Sequence, residues 1–196
     1  MRAVLVGFAL ASFASNVQAF EWRAFEWRLG VAYASGLSDV TDLHEDNLRA
    51  EGLEADVDLK VPLGITAGLT YDWPSGMRAD VTLGPTFFIG GDVSHFELPL
   101  GATLGYSFDL GGDASPYVRA GVIHHFASGD YEAGSDPGFI VAAGLDFRRL
   151  TLEVAYDDSE VEFETAVCNA NNTVCTPARE SLRTYEVIAS VFWRFR

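Results

Sequence analysis

Between Phe25 and Arg196 the chain alternates hydrophobic residues with polar or small ones on nearly every run. From Leu53 to Trp73, one face carries Leu53, Ala55, Val57, Leu59, Val61, Leu63, Ile65, Ala67, Leu69, Tyr71 and Trp73, and the other carries the acids, threonines and glycines between them. A period of two is the signature of a β-strand with unlike faces. The same reading predicts strands over about Phe25–Leu37, Leu53–Trp73, Met77–Ile89, His95–Leu110, Pro116–Ala127, Phe139–Arg148, Leu150–Phe163 and a last run ending at Phe195. In the third, Ala79, Val81, Leu83, Pro85 and Phe87 are expected to face outward, and in the eighth Tyr185, Val187, Ala189, Val191, Trp193 and Phe195. Ser38–Gly52 reads as an acidic, turn-rich segment, Ser128–Gly138 as a Gly/Asp loop and Thr165–Leu182 as a polar loop.

The face opposite the apolar one is rich in glycine (Gly30, Gly64, Gly68, Gly84, Gly101, Gly105, Gly121, Gly144). A soluble sandwich would stud that face with charge, because it meets water. Small residues instead suit the inside of a narrow barrel, where eight strands leave room only for side chains. The expected fold is an all-β, eight-stranded antiparallel up-and-down transmembrane β-barrel with its apolar face toward lipid. Turns near Pro74, Gly112 and Arg149 are short, while the connections at 38–52, 128–138 and 165–182 are long, although Gly90–Ser94 on that side is brief. In outer-membrane barrels the short turns are periplasmic, so an even strand number puts both termini there. Trp27, Trp73, Phe108, Tyr117, Phe147, Trp193 and Phe195 fall near the short-turn ends and are expected to form the periplasmic aromatic girdle.

Composition sharpens this picture. The 196 residues carry a formal charge of -15, yet 48% are hydrophobic and 13% aromatic. Acidic and greasy together fit a membrane barrel with charged loops. With 13 basic residues in all, nucleic acid is not an expected partner, since phosphate binding needs basic clusters. Residues 1–19 read as a secretory signal peptide: Met1-Arg2, an apolar core over Ala3–Ala14, and a small-residue site at Val17-Gln18-Ala19. Residues 20–196 then form one barrel domain. Ala19–Arg23 and Ala24–Arg28 are a direct repeat, Ala-Phe-Glu-Trp-Arg, read as a local duplication. Export puts Cys168 and Cys175 in an oxidising compartment, where a disulfide closing a small surface loop is expected. No metal or cofactor is expected.

Ser115–Val122 (Ser-Pro-Tyr-Val-Arg-Ala-Gly-Val), Ala143–Phe147 with Leu152–Tyr156, and the terminal Val187–Phe195 strand resemble the small outer-membrane β-barrel proteins of the OmpA/OmpX-like group. The resemblance spreads over the mature chain through degenerate motifs. It implies a bacterial outer-membrane location, contact with outer-membrane lipid and lipopolysaccharide, and handling by the barrel-assembly machinery, which in that family reads a C-terminal aromatic. Here Arg196 follows Phe195. A monomer is expected, with loops available to an extracellular ligand.

Inward-facing charge is the main candidate chemistry. Arg28, Asp80, Arg119 and Glu153 sit at similar distances from the starts of strands one, three, five and seven, and are expected to form a layer of alternating sign across the lumen. Glu97, Asp146, Arg148, Glu186 and Arg194 are further inward candidates. A buried charge must be paired or it costs several kcal/mol, so the expected arrangement is a salt-bridged plug; the alternative is a narrow ion channel. His124-His125, with Ser128 and Asp130 nearby, raises a third reading, because some eight-stranded outer-membrane barrels are lipid A-modifying enzymes that use a His with a Ser and an acid. The His-x-Ser-Asn pattern of the deacylase type is absent, and no catalytic residues are assigned. The acidic residues Asp39, Asp42, Glu45, Asp46, Glu51, Glu54, Asp56 and Asp58 match no calcium-loop spacing and read as solvated loop. The expected role is structural or one of surface interaction.

Overall fold

The computed structural model describes residues 25–54, 57–59, 64–168 and 175–195. The expected signal peptide, the first copy of the repeat, Arg196 and the middle of the cysteine segment lie outside the described residues. The elements are β1 (Phe25–Ala34), α1 (Leu37–Ala50), β2 (Val57–Leu59), β3 (Gly64–Asp72), β4 (Met77–Gly91), β5 (His95–Ser107), β6 (Ala114–Gly129), β7 (Glu132–Asp136), β8 (Gly138–Phe147), β9 (Leu150–Asp157), β10 (Glu160–Cys168), β11 (Cys175–Leu182) and β12 (Val187–Phe195).

Eight of the strands close a ring in the order β1, β3, β4, β5, β6, β8, β9, β12 and back to β1. Every neighbouring pair is antiparallel. The closing pair sets Leu29 opposite Trp193 and Val31 opposite Val191. Closure satisfies each strand's backbone on both sides, the condition for crossing hydrocarbon with strands. The outer surface meets the second condition. Trp27, Leu29, Ile65, Leu104, Val122 and Val154 are each more than half exposed, within a belt of outward aliphatic and aromatic side chains from all eight barrel strands. An apolar patch of that extent is unstable in water and stable against lipid.

Short connections join β3 to β4, β5 to β6 and β8 to β9 at one end. At the other, β1 leads into α1 and β2, β6 into β7, and β9 into β10 and β11. These extra elements build a cap over one mouth of the barrel. β2 pairs with the far end of β4, and β7, β10 and β11 form a separate three-stranded sheet.

Four expectations about local structure are corrected. Ser38–Gly52 is α1 rather than a turn-rich stretch: Leu37, Val40, Leu43, His44, Asn47 and Leu48 recur at helical spacing and are all buried. Its acids lie on the other face, and Arg49 in the last turn pairs with Glu45 and Asp46. Leu53–Trp73 is not one strand, since β2 pairs with β4 and β3 begins only at Gly64. Thr165–Leu182 lies in the β10–β11 hairpin, whose register sets Cys168 opposite Cys175. Finally, Pro85 and Phe87 do not face outward. Gly84 has φ of +86°, a conformation that favours glycine, and the β4–β5 register slips between Leu83 and Phe87. Such a slip exchanges the two faces, so Phe87 turns into the barrel, where Tyr185, also expected outside, stacks on it at 5.5 Å.

Candidate functional site

Inward side chains of β6 and β9 show how the lumen is filled. From the short-turn end upward, β6 presents Tyr117, Arg119, Ile123 and His125, and β9 presents Thr151, Glu153, Ala155 and Asp157; all are buried. The order is polar, charged, apolar, then charged again.

Among the described residues the lower charged zone pairs four arginines with four carboxylates, and a fifth carboxylate, Asp72, stands half-buried opposite Arg78 on the same inward face. Arg28 Nη2 donates to Asp80 Oδ1 at 2.5 Å, and Thr70 Oγ1 donates to the same oxygen at 2.6 Å. Arg78 bridges Asp80 (Nε to Oδ2, 3.0 Å) and Asp146 (Nη1 to Oδ2, 2.6 Å), and its guanidinium lies 3.9 Å from the centroid of the Tyr117 ring. Arg119 grips Glu153 with both arms of its fork, at 2.7 and 2.6 Å, while the Tyr117 hydroxyl donates to Glu153 at 2.6 Å. Arg194 pairs with Glu26 at the short-turn rim. Bidentate, charge-assisted geometry of this kind is what lets buried ions persist. Gly144 leaves the space for Tyr117: a Cβ there would come within 2.4 Å of the ring.

Above this zone, Ala32, Phe87, Ile123, Ile140, Ala142, Ala155 and Ile188 form a buried cluster drawn from β1, β4, β6, β8, β9 and β12. Six of the eight barrel strands thus contribute to one apolar layer across the bore. Beyond it lies a second polar group. His125 Nε2 is 2.8 Å from Asp157 Oδ2, and Glu97 stands between His125 (3.7 Å) and His95 (3.5 Å). Ser159 donates its backbone N–H and hydroxyl to Asp157. The cap closes over this group: Val40, Leu43 and Leu48 of α1 pack with Val57, Val93, Val161 and Phe163.

His44 of α1 sits at the junction, with ring centroids 5.6 Å from His95 and 5.7 Å from Phe163. Burial, then the neighbouring His95, lower its pKa from 6.5 to about 4, against an opposing pull from Asp130; Tyr131 completes its surroundings. With the folded value below the unfolded one, the unfolded cap binds more protons between these limits. Cap stability is therefore fully present above pH 6.5 and falls as the pH drops toward 4. Hydrogen exchange of the α1 amides, corrected for intrinsic rates, should show its opening free energy declining across that window. His44→Phe should flatten the profile.

Of the expected lumen network, Arg28, Asp80, Arg119 and Glu153, expected in one layer, all turn inward in the lower zone; of the further candidates, Asp146 and Arg194 turn inward beside them and Glu97 turns inward in the upper group. Glu186 does not. It precedes β12 and is exposed, outside the alternation of the strand. Arg148 is also outside, in the β8–β9 turn, paired with Asp113 at 2.8 Å. Trp27, Trp73, Phe108, Phe147, Trp193 and Phe195 ring the short-turn end and are exposed. Tyr117 is not part of that girdle: it shares the inward parity of Arg119 and is 1% exposed. Arg78, Glu26, His95 and Asp157 were missed, although Arg78 shares parity with Asp80. His125 and Ser128 lie on opposite faces of β6, with Ser128 exposed, so they form no Ser–His pair; Asp130 instead accepts from Ser94. Glu54, Asp39, Asp42 and Asp46 are exposed, as a solvated face requires. Asp56 and the Asp58 side chain lie outside the described residues.

Fold, lipid-facing belt and filled bore together define a small eight-stranded barrel of the outer-membrane type. Among solved structures, the chain is similar to the outer membrane protein OprG from Pseudomonas aeruginosa, with a TM-score of 0.51 and 13% identity over 88% of this chain and 95% of that one. It also matches Neisserial surface protein A (TM-score 0.43, 16% identity, 88% and 97% covered) and Ail of Yersinia pestis (0.40, 11%, 87% and 97%). At these identities the likeness is one of fold. No family model and no curated protein matches the sequence.

Proposed function

We propose that this protein is a closed, non-conducting barrel of a bacterial outer membrane whose work is done by its extracellular cap. The observation that carries the reading is the apolar layer of Phe87, Ile123, Ile140, Ala142, Ala155 and Ile188 between two charged zones. An ion crossing it would shed water against mainly aliphatic and aromatic side chains, at a cost of several kcal/mol. Both termini are placed at the periplasmic end with the short turns, and the cap faces outward. Lipid and lipopolysaccharide surround the belt of a monomer, and the barrel-assembly machinery inserts it. A disulfide between Cys168 and Cys175 would pin the tip of the β10–β11 hairpin, where the two residues pair.

The cap offers a cleft of about 460 Å³ between α1, Tyr131 and the β10–β11 hairpin, lined by Asn47, Glu51, Glu164, Thr165 and Arg179, and this is where an extracellular ligand would be met. In planar bilayers the reconstituted protein is expected to give no stable unitary conductance. Arg119→Ala should stay silent too, because the apolar layer is intact. Reproducible steps in the wild type that change with Arg119→Ala would overturn the closed-barrel reading.

A further inference from the structure

We propose that the short-turn rim beside β8 and β9 is a phosphate site for the headgroup of an anionic phospholipid. The proposal rests on the barrel and its orientation given above. Arg148 and Arg149 form the whole connection between β8 and β9, with Phe147 and Leu150 as the last paired residues on either side. With Glu26, Arg194, Trp193 and Phe195 they line a cleft of about 600 Å³.

The cations in this cleft are not equally engaged. Arg194 is turned toward the lumen and held by Glu26. Arg148 reaches Asp113 at 2.8 Å, but both side chains are more than half exposed, and such a pair exchanges readily for another anion. Arg149 has no ion-pair partner among the described residues. At the opposite end of the molecule, the exposed Arg49, Arg179 and Arg183 are each paired with carboxylates. Among the described arginines, Arg149 is thus the one without a carboxylate, and it stands at this rim beside the exposed Arg148.

The surroundings select a lipid. The Arg194 N–H donates to the Arg149 carbonyl at 2.8 Å, which pins the turn to β12 beside Trp193 and Phe195. Those rings and Phe147 are outward and exposed, at the level where aromatic side chains meet headgroups. A guanidinium above an apolar rim matches a phosphate oxygen pair above an acyl chain. The Arg148 side chain lies 5.5 Å from the centroid of the Phe147 ring and pairs with Asp113, but the backbone of the turn does not favour arginine. Arg148 has φ of +50° at the first position of a two-residue hairpin, where glycine is preferred.

Native mass spectrometry of the full-length barrel in detergent tests this, with phosphatidylglycerol, phosphatidylcholine or inorganic phosphate as probe. The wild type should retain phosphatidylglycerol over phosphatidylcholine by about fivefold per engaged arginine. Arg148→Gly with Arg149→Ser removes both charges while favouring the turn, and should bring retention down to the phosphatidylcholine level. Arg179→Ala, which removes an exposed cation at the other end, should leave the preference intact. Equal retention of the two lipids by the wild type, an unchanged preference in the double variant, or an equal loss in Arg179→Ala would overturn the site. Displacement of phosphatidylglycerol by millimolar phosphate would overturn the lipid as its ligand. Loss of heat-modifiable migration on a gel reports failure of the barrel itself, separately from all of these.

Discussion

Replacing Arg78 with alanine is expected to destabilise the barrel by about 3–5 kcal/mol, the cost of breaking a buried ion pair from one side. Arg78 is fully buried and holds two carboxylates together, Asp80 and Asp146, from strands on different parts of the ring. Removing it leaves the four paired lumen carboxylates, with the half-buried Asp72 opposite the vacated position, facing three arginines among the described residues. Asp80 keeps Arg28 and Thr70, but Asp146 keeps only the Thr151 hydroxyl and a distant Arg194 at 3.7 Å. The stacking of the guanidinium on Tyr117 goes as well, which adds up to about 2 kcal/mol when desolvated. The urea midpoint of unfolding from phosphatidylcholine vesicles, read by heat-modifiable migration on a gel, should fall sharply. Arg78→Met combined with Asp146→Asn should recover most of the loss, because no buried charge is then left alone. A single variant within about 1 kcal/mol of wild type would mean that Asp146 re-pairs fully with Arg194.

Arg78 also shows what was legible in the sequence. Strict alternation assigns the faces of β1, β5, β6, β8, β9 and β12 correctly, because a half-buried strand has no other periodicity. The same rule places Arg78 with Asp80, and Tyr117 with Arg119. Tyr117 was misplaced because its position near a strand end suggested a girdle, whereas parity decides the face. The reversal at Phe87 has a different origin. A register slip at Gly84-Pro85 changes the parity without disturbing composition, so Phe87 reads as outward until the pairing of β4 with β5 is known. Glu186 was misassigned by extending parity past the end of β12. The helix was the larger omission. Its apolar positions are spaced as a helix should be, but Asp39, Asp42, Glu45 and Asp46 dominate the composition of the segment. Which residues meet inside the bore, such as His125 with Asp157 across 32 positions, depends on the stagger of the closed ring, which no local pattern encodes.

The second large effect is expected outside the bore. Phe163 is fully buried at the centre of the cap, in the cluster with Val40, Leu43 and Leu48 of α1 and Val57 of β2, and its ring meets both His44 and His95. Truncating a buried phenylalanine to alanine costs about 3–5 kcal/mol. In Phe163→Ala that cost falls mainly on the cap and not on the ring of strands: apart from the lost contact with His95, the strand ladders and the lower charged zone are untouched. Local opening draws on the free energy of the cap alone. Trypsin cleavage after Arg49, whose side chain is 59% exposed in α1, should therefore accelerate by about a hundredfold or more. The urea midpoint and heat-modifiable migration of the barrel should stay at wild-type values. Barrel and cap would then be separate cooperative units. If the barrel midpoint falls together with the rise in cleavage, the cap is part of what holds the ring closed, and α1 with its acidic face cannot rearrange around a ligand without loosening the membrane-spanning strands.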